Sequence, residues 1–256
     1  MSDQILQEWP SQQICVLRMN RPECYNALSQ ELVGAMRDIV KGLRDSSAKV
    51  LVLSATGPGF CAGADLKERK TLSNAEKYAH NRAINALANE IAALPIPTIA
   101  AINGVALGGG CELSLACDIR FASSSASIGL TEARIGAMPG AGGSQRLPRL
   151  IGASRALEMM YSGEPISAEK AAEWGLVNAV AEPDDFDELV MAFSYRLASR
   201  SRSTTSLLKK TVRQGIEVGL ADALELERLA ITEVLVSKDY AEGLAAFAER
   251  REPKFS

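Results

Sequence analysis

Short apolar runs that alternate with amphipathic segments constrain the fold of this chain more than any other feature of its sequence. The run Val50–Leu53 (VLVL) is apolar at every position, which is typical of a strand buried on both faces of a sheet. The sequence predicts further strands at Ile14–Met19, Thr98–Ile102, Asp118–Ala122 and Leu176–Val180. Turns rich in glycine and proline separate these runs from segments with helical periodicity. The first part of the chain is therefore predicted to be an α/β core.

Capping residues mark the start of several predicted helices. Ser29 precedes a segment with apolar residues at helical spacing, Ser73 and Glu76 form a capping box, and Ser167 opens a short helix. Towards the C terminus the strand patterns end, and only helical patterns remain. The helices predicted there are Phe186–Ser199, Thr204–Gly219, Ala221–Val236 and Ala241–Arg250.

The chain divides on this basis into a catalytic core, residues 1–195, and a helical C-terminal region, residues 196–256. With 256 residues, of which 47% are apolar, it is long enough to bury a sizeable core. Its net charge of -3 does not favour a general role at nucleic acids or membrane surfaces.

Cysteine and histidine usage argues against metal or disulfide chemistry. The five cysteines include no C-x-x-C pair, and the single histidine, His80, is expected on the surface of a helix. We expect buried, reduced thiols. The opening MSDQILQEWP lacks the features of a secretory signal, and no apolar run approaches the length of a membrane span. We therefore expect a cytoplasmic location, or the mitochondrial matrix where a transit peptide has been removed from a longer precursor.

Two glycine-containing segments are the strongest candidates for chemistry. Gly108–Gly110 precede a predicted helix, Cys111–Ala116, whose first amides have no acceptor within the helix. Such amides suit an oxyanion hole, although a tight packed turn is the alternative at this stage. The predicted loop Phe60–Asp65 has a similar character. Glu112 and Glu132 lie beside glycine-rich loops, and Glu132 follows a short predicted strand, Ser127–Gly129.

Other motifs are absent from the sequence. Neither glycine cluster has the G-x-G-x-x-G spacing of a dinucleotide-binding turn, and there is no P-loop. There is also no G-x-S-x-G elbow.

Five motifs together resemble the enoyl-CoA hydratase/isomerase (crotonase) family. They occur in matching order over essentially the whole chain, and they are Leu17–Leu28, Phe60–Lys67, Asn103–Ile119, Met138–Leu147 and Asp239–Phe255. The resemblance implies a spiral of repeated β-β-α units with a helical C-terminal region for trimerisation, and two trimers that stack into a hexamer. It also implies an acyl-CoA substrate and no metal or redox cofactor, since coenzyme A enters as part of the substrate.

The resemblance assigns roles to particular residues. The backbone amides of Ala64 and Gly109 would hold the thioester oxygen, and Glu112 and Glu132 would flank the reacting water. Glu112 would activate that water and Glu132 would deliver the proton. Substrate or CoA contacts are expected from Ala62, Asp65, Leu66, Lys67, Gly108, Gly140, Lys254 and Phe255. For Lys67, a solvated lysine on a helix is the alternative. Lys254 and Phe255 would reach CoA in a neighbouring subunit.

The expected activity is addition of water across the 2,3 double bond of an enoyl-CoA thioester. Members that only isomerise a double bond often lack the first glutamate, so the presence of Glu112 favours hydration. Phe60–Arg69 and Leu94–Gly110 resemble the 3-methylglutaconyl-CoA hydratase branch in particular, with a general short-chain enoyl-CoA hydratase as the alternative. An isomerase, other crotonase-type chemistry through a thioester enolate, and a non-catalytic RNA-binding module also stay open. The predicted first helix, Gln30–Arg44, has only three basic residues, so we do not expect RNA binding.

Overall fold

A computed structural model of the chain describes residues 2–256. Its strands are β1 (Ile5–Ser11), β2 (Ile14–Met19), β3 (Val50–Ala55), β4 (Gly59–Cys61), β5 (Thr98–Ile102), β6 (Val105–Leu107), β7 (Ile119–Ser123), β8 (Ser127–Gly129), β9 (Ile166–Ser167) and β10 (Ala179–Ala181). Its helices are α1 (Gln30–Leu43), α2 (Leu66–Thr71), α3 (Asn74–Ala92), α4 (Gly109–Ala116), α5 (Gly143–Ile151), α6 (Ala153–Ser162), α7 (Ala168–Glu173), α8 (Pro183–Ala198), α9 (Arg202–Gly215), α10 (Leu220–Leu235) and α11 (Lys238–Glu249). Two 3₁₀ turns lie at Pro22–Cys24 and Glu132–Ile135.

From β3 to β8, successive strands alternate between two sheets. The larger sheet has the order β1-β2-β3-β5-β7-β10 and the smaller sheet the order β4-β6-β8-β9. Pairing is parallel except between β1 and β2 and between β8 and β9. In β3-β4, β5-β6 and β7-β8, the first strand joins the larger sheet and the second the smaller one, before the chain enters a helix. This arrangement confirms the predicted spiral of β-β-α units.

The larger sheet is covered on both faces, which explains its apolar runs. In β3, Leu51 and Leu53 face the interior that contains α1, α3 and α4, whereas Val50 and Val52 pack in a second cluster with Phe186 of α8. Burial of each such side chain contributes about 1.5–3 kcal/mol relative to exposure. The continuous apolar pattern VLVL therefore reflects two separate clusters on opposite faces of one strand.

Side-chain caps begin the helices at the predicted positions. Ser29 Oγ accepts a hydrogen bond from Leu32 N at 3.1 Å. In the capping box before α3, Ser73 N donates to Glu76 Oε2 at 2.7 Å and Glu76 N donates to Ser73 Oγ at 3.3 Å. Ser167 caps α7 in the same way. These local predictions are confirmed because each depends on contacts within one turn of helix.

Several predicted boundaries were wrong. Phe60 and Cys61 belong to β4, so the loop begins only at Ala62. The helix after the glycine cluster begins at Gly109 rather than Cys111. The predicted strand Leu176–Val180 is reduced to Ala179–Ala181, since Leu176 N donates to Ala171 O at 2.7 Å and closes the end of α7 instead. The β4 residues form a strand because they pair with β6, whereas the strand after α7 is shortened by a contact at the end of that helix.

The C-terminal helices follow the predicted change from strands to helices. The predicted division between residues 195 and 196 falls inside α8, whose buried Phe186 and Ala198 both pack against the larger sheet. Beyond α8, helices α9 and α10 bury none of their residues in this chain. Among helices α1–α11, none combines the length and apolar character needed to cross a membrane.

His80 is buried, so its predicted surface position was wrong. Its side chain is 2% exposed, and neither ring nitrogen has a hydrogen-bond partner among residues 2–256. It extends the buried stripe of α3, which continues at Ile84, Leu87 and Ile91, by one further turn. Burial lowers the pKa of the imidazole, with a further decrease from the charge of Arg69. The imidazole is therefore held neutral in the folded chain.

Replacing His80 by Leu is expected to reduce the acid sensitivity of folding. The pKa of His80 lies below the ordinary value of about 6.5, so the unfolded chain binds the proton first, and stability is lost as the pH falls below that value. Urea unfolding at about pH 7 and pH 5.5 measures this loss in the parent and in His80→Leu. The variant should lose less stability between the two pH values. An equal loss in both proteins would contradict the assignment, because the chain has no other histidine.

Candidate active site

A backbone bridge places Ala64 at the centre of the site. Leu28 N donates to Gly63 O at 2.8 Å, and Asp65 N donates to Leu28 O at 3.1 Å. In this parallel pairing Leu28 uses the groups on either side of Ala64, so the N–H of Ala64 itself points away from Leu28. The amide that the resemblance selected is thus held in a fixed direction and is left free for a ligand.

Asp65 anchors the segment that carries Ala64. Its Oδ1 accepts hydrogen bonds from the amides of Lys67 and Glu68, each at 3.1 Å, and so caps α2. Its Oδ2 lies 3.1 Å from both terminal nitrogens of Arg21. Burial by itself would raise the pKa of the Asp65 carboxyl, but the amide and guanidinium hydrogen bonds outweigh it, and the pKa is lowered. The carboxylate is occupied by the protein, which makes Asp65 a support for the site.

The amide of Gly109 lies beside that of Ala64. Gly109 is the first residue of α4, so its N–H has no acceptor within the helix. A Cβ placed on Gly109 would lie 3.6 Å from Ala64 N, and a Cβ placed on Gly63 would lie 3.2 Å from Gly109 N. Gly63 has a φ of +96°, a conformation that disfavours any residue with a Cβ. The two donors therefore form a pair of adjacent amides at the positive end of a helix.

Glu112 is buried on α4 and held by a second glycine-rich loop. Glu112 is only 3% exposed. Its Oε1 accepts hydrogen bonds from Ala141 N at 2.7 Å and Gly143 N at 2.8 Å. Burial raises the pKa of this carboxyl above its ordinary range, and the amides and the charge of Arg146 offset that effect only in part. The two amide bonds nevertheless favour the ionised form and fix the direction of the carboxylate.

Glu132 lies in a different environment, at the start of the 3₁₀ turn after β8. A Cβ placed on Gly108 would lie 3.3 Å from Glu132 Oε1, so this carboxyl borders the start of α4. Its Oε2 is buried and has no hydrogen-bond partner in the described part of the chain. Burial, followed by the charge of Glu112, raises the pKa of Glu132 to about 7. The two carboxyls thus interact and the pKa of each is raised, but only Glu112 has backbone donors that favour its ionised form.

The remaining predicted contact residues fall into three groups. Ala62, Leu66 and Lys67 are exposed beside the Ala64 segment. Gly108 precedes α4, and the carbonyl of Gly140 accepts a hydrogen bond from Asn85 Nδ2 at 3.1 Å. At the C terminus, Lys254 N donates to Glu242 Oε1 at 2.7 Å, and Phe255 O accepts from Lys49 Nζ at 3.4 Å. The last residues therefore contact α11 and Lys49, the residue before β3, within the same chain.

Several supporting residues escaped the sequence analysis. Leu28 and Arg21 support the Ala64 amide, and Ala141 and Gly143 hold Glu112. These residues lie inside the motifs that carry the family resemblance, and that was the one available signal. Cysteines take no part in this arrangement: Cys111 is buried behind the site, and burial raises the pKa of its thiol. Within residues 2–256 no group of three or more His, Cys, Asp or Glu side chains is placed to hold a metal ion.

Comparison with known proteins matches almost the whole chain. A family model described as enoyl-CoA hydratase/isomerase matches residues 10–256. A mouse protein named enoyl-CoA hydratase domain-containing protein 2, mitochondrial, is 41% identical over 96% of this chain and 85% of its own length. Human methylglutaconyl-CoA hydratase, mitochondrial, is 40% identical over 94% of this chain and 73% of its own length.

A solved structure extends the match to three dimensions. The crystal structure of an enoyl-CoA hydratase from Bacillus anthracis superimposes with a TM-score of 0.97, at 40% identity and with 98% of each chain covered. The family model covers nearly every residue, and the mouse relative and the solved structure are 41% and 40% identical to almost the whole chain. This chain therefore belongs to the enoyl-CoA hydratase/isomerase family.

Proposed function

We propose that the chain hydrates enoyl-CoA thioesters. In this proposal the paired amides of Ala64 and Gly109 bind the thioester oxygen, and Glu112 and Glu132 transfer the protons. The observation that carries this proposal is the pair of adjacent N–H groups bordered by two carboxyls in unlike environments, of which Glu112 is buried and Glu132 half-buried. Donors that meet a developing oxyanion are among the largest contributions to catalysis. Here they would accept the thioester oxygen, withdraw electrons from C3 and make that carbon susceptible to water.

The difference between the two carboxyls supports a division of labour. Glu112, ionised by two amide hydrogen bonds, takes a proton from the water whose oxygen forms the new bond to C3. Glu132, whose pKa is raised to about 7, supplies its proton to C2. The thioester enolate thus collapses to 3-hydroxyacyl-CoA, and a proton passes from Glu112 back to Glu132 through solvent before the next turnover. This scheme uses no metal or redox cofactor.

The substrate class follows from the family, and the acyl group needs a direct assay. Exposed Lys67 and Ala62 beside the Ala64 segment suit the phosphates and adenine of CoA, and Lys254 and Phe255 would approach the CoA of a neighbouring subunit. A panel of crotonyl-CoA, longer 2-enoyl-CoAs and 3-methylglutaconyl-CoA, scored by kcat/KM, identifies the preferred chain. A 3-enoyl-CoA in the same panel distinguishes hydration from isomerisation. The mouse and human relatives are named mitochondrial. For this chain, the proposed function is compatible with the mitochondrial matrix and with the cytoplasm.

Glu112→Gln and Glu132→Gln are each expected to lower kcat for crotonyl-CoA hydration by about 100-fold or more, because each removes one proton transfer. Stopped or continuous absorbance assays of the enoyl thioester measure the rate. Circular dichroism and thermal unfolding check that the variants remain folded. Glu158→Gln, at an exposed position of α6, is the matched control and should keep the parent rate. Full activity in either active-site variant would refute the mechanism.

Gly63→Ala is expected to lower kcat by roughly 100-fold, about the effect of losing one oxyanion donor. The added Cβ would lie 2.9 Å from Leu107 O and 3.2 Å from Gly109 N, at a φ that alanine rarely adopts, so the two amides must separate. The control is Gly34→Ala in α1, where a Cβ meets no atom within 4 Å. This control should leave kcat unchanged. An equal effect of both substitutions on kcat would show that the Gly63 geometry has no special role.

We also propose that the chain assembles as a trimer, with two trimers forming a hexamer. Helix α10 carries an apolar stripe at helical spacing whose members are all exposed in the single chain: Leu220, Leu224, Ile231 and Leu235. Unpaired apolar stripes of this size mark protein interfaces. The family resemblance assigns this region to trimerisation, which supports another copy of this chain as the partner that covers the stripe.

Light scattering should give a mass three or six times the 27.3 kDa of one chain. The double substitution Leu224→Glu and Ile231→Glu should shift the mass towards that of the monomer, because it places charge within the apolar stripe. Thr232→Glu adds the same kind of charge outside the stripe and should leave the assembly intact. A monomeric parent, or an unchanged mass in the double variant, would rule out this interface.

A further inference from the structure

Arg146 connects the loop that holds Glu112 to two helices. It lies in the first turns of α5, and its Nη1 donates to Ala141 O at 2.8 Å. Its Nη2 donates to Asn89 Oδ1 of α3 at 2.6 Å. Asn85, one turn earlier on α3, donates to Gly140 O at 3.1 Å. The loop is therefore tied to α3 at two consecutive residues, and one of these ties passes through the guanidinium of Arg146.

The same loop residue contacts both Arg146 and Glu112. Ala141 donates its N–H to Glu112 Oε1 at 2.7 Å, and its carbonyl accepts from Arg146. The second donor to Glu112 is Gly143 N, the first residue of α5. Between them, Gly142 has a φ of +101°, and any Cβ there would overlap the Arg146 guanidinium. The loop backbone thus packs against the side chain of Arg146, while its amides donate hydrogen bonds to the Glu112 carboxylate.

The charges around these two groups are few. Glu112 faces Glu132 from the 3₁₀ turn, Arg146 from α5 and the thiol of Cys111 on its own helix. Arg146 faces Glu112, Arg213 of α9 and the thiol of Cys117 at the end of α4. Burial lowers the pKa of the guanidinium, followed by the charge of Arg213, but it remains cationic. Arg146 is therefore the cation that favours the ionised form of Glu112.

We propose that Arg146 is a positioning residue for Glu112: it holds the loop 140–143 so that two amides aim the carboxylate. The proposal rests on the role of Glu112 in the proposed function. Arg146 itself acts through the loop and contacts neither of the paired amides at Ala64 and Gly109 through its hydrogen bonds, which go to Ala141 and Asn89. Lysine cannot replace it fully, because a single ammonium lacks the planar fork that reaches both acceptors.

The test compares Arg146→Gln, Arg146→Lys and Arg149→Gln in crotonyl-CoA hydration across the pH range. Arg149 lies on the same helix, is exposed and bonds to Gln145 O, so its substitution serves as the control. Arg146→Gln should lower kcat by about 10-fold to 100-fold with little change in KM. Loss of the positive charge raises the pKa of Glu112, so the acidic limb of the kcat/KM profile should move to higher pH. Arg146→Lys should keep that limb in place and recover part of kcat.

The outcomes separate this proposal from the mechanism beneath it. If Arg146→Gln keeps the kcat and pH profile of the parent while Glu112→Gln is inactive, the positioning role is wrong and the hydratase mechanism stands. If Glu112→Gln is fully active, the mechanism itself fails. Should Arg146→Gln not fold, Asn89→Ala loosens the same guanidinium without removing its charge. It should lower kcat with the acidic limb unmoved, and an unchanged kcat would overturn the proposal.

Discussion

The backbone bridge between Leu28 and Ala64 is the contact on which the site depends. It joins the segment before α1 to the segment after β4, and so connects two turns of the spiral. Because the bridge uses Gly63 O and Asp65 N, it leaves the amide of Ala64 facing the start of α4. The ion pair of Arg21 and Asp65 holds the same segment at the residue after Ala64. The pair of donors is therefore a product of how two repeats meet.

The two glutamates show how one pocket gives unlike properties to like side chains. Both are removed from water, which raises the pKa of each carboxyl. Glu112 has the compensation of two backbone donors and a nearby guanidinium, whereas one oxygen of Glu132 is buried and has no partner in the part of the chain that the structure describes. Unlike environments around two neighbouring carboxyls are the usual basis of acid–base assignments. In this chain the glycine-rich loop 140–143 makes that difference.

Much of the architecture could be predicted because it depends on local chemistry. The caps at Ser29 and Ser73 act within one helical turn, and the apolar run at β3 is long enough to indicate a strand by itself. The short strands β4, β6 and β9 were not predictable in this way. Each of these has only two or three residues and is a strand because a neighbouring strand pairs with it, although the equally short β8 was predicted. His80 similarly shows no local sign of burial apart from its place on an apolar stripe.

The sequence by itself determined the alternation of strands and helices in the core and the change to helices at the C terminus. Its five spaced motifs also gave the family and, through it, the residues that bear the proposed chemistry, Ala64, Gly109, Glu112 and Glu132. Only the tertiary structure decided how these residues meet: that two amides from different repeats lie side by side, that Glu132 keeps an unpaired oxygen, and that Arg146 shapes the loop around Glu112. The physical reason is distance along the chain. Caps and apolar runs are properties of neighbouring residues, whereas hydrogen bonds and burial at the site join segments from residue 28 to residue 143 that meet only after the spiral has closed.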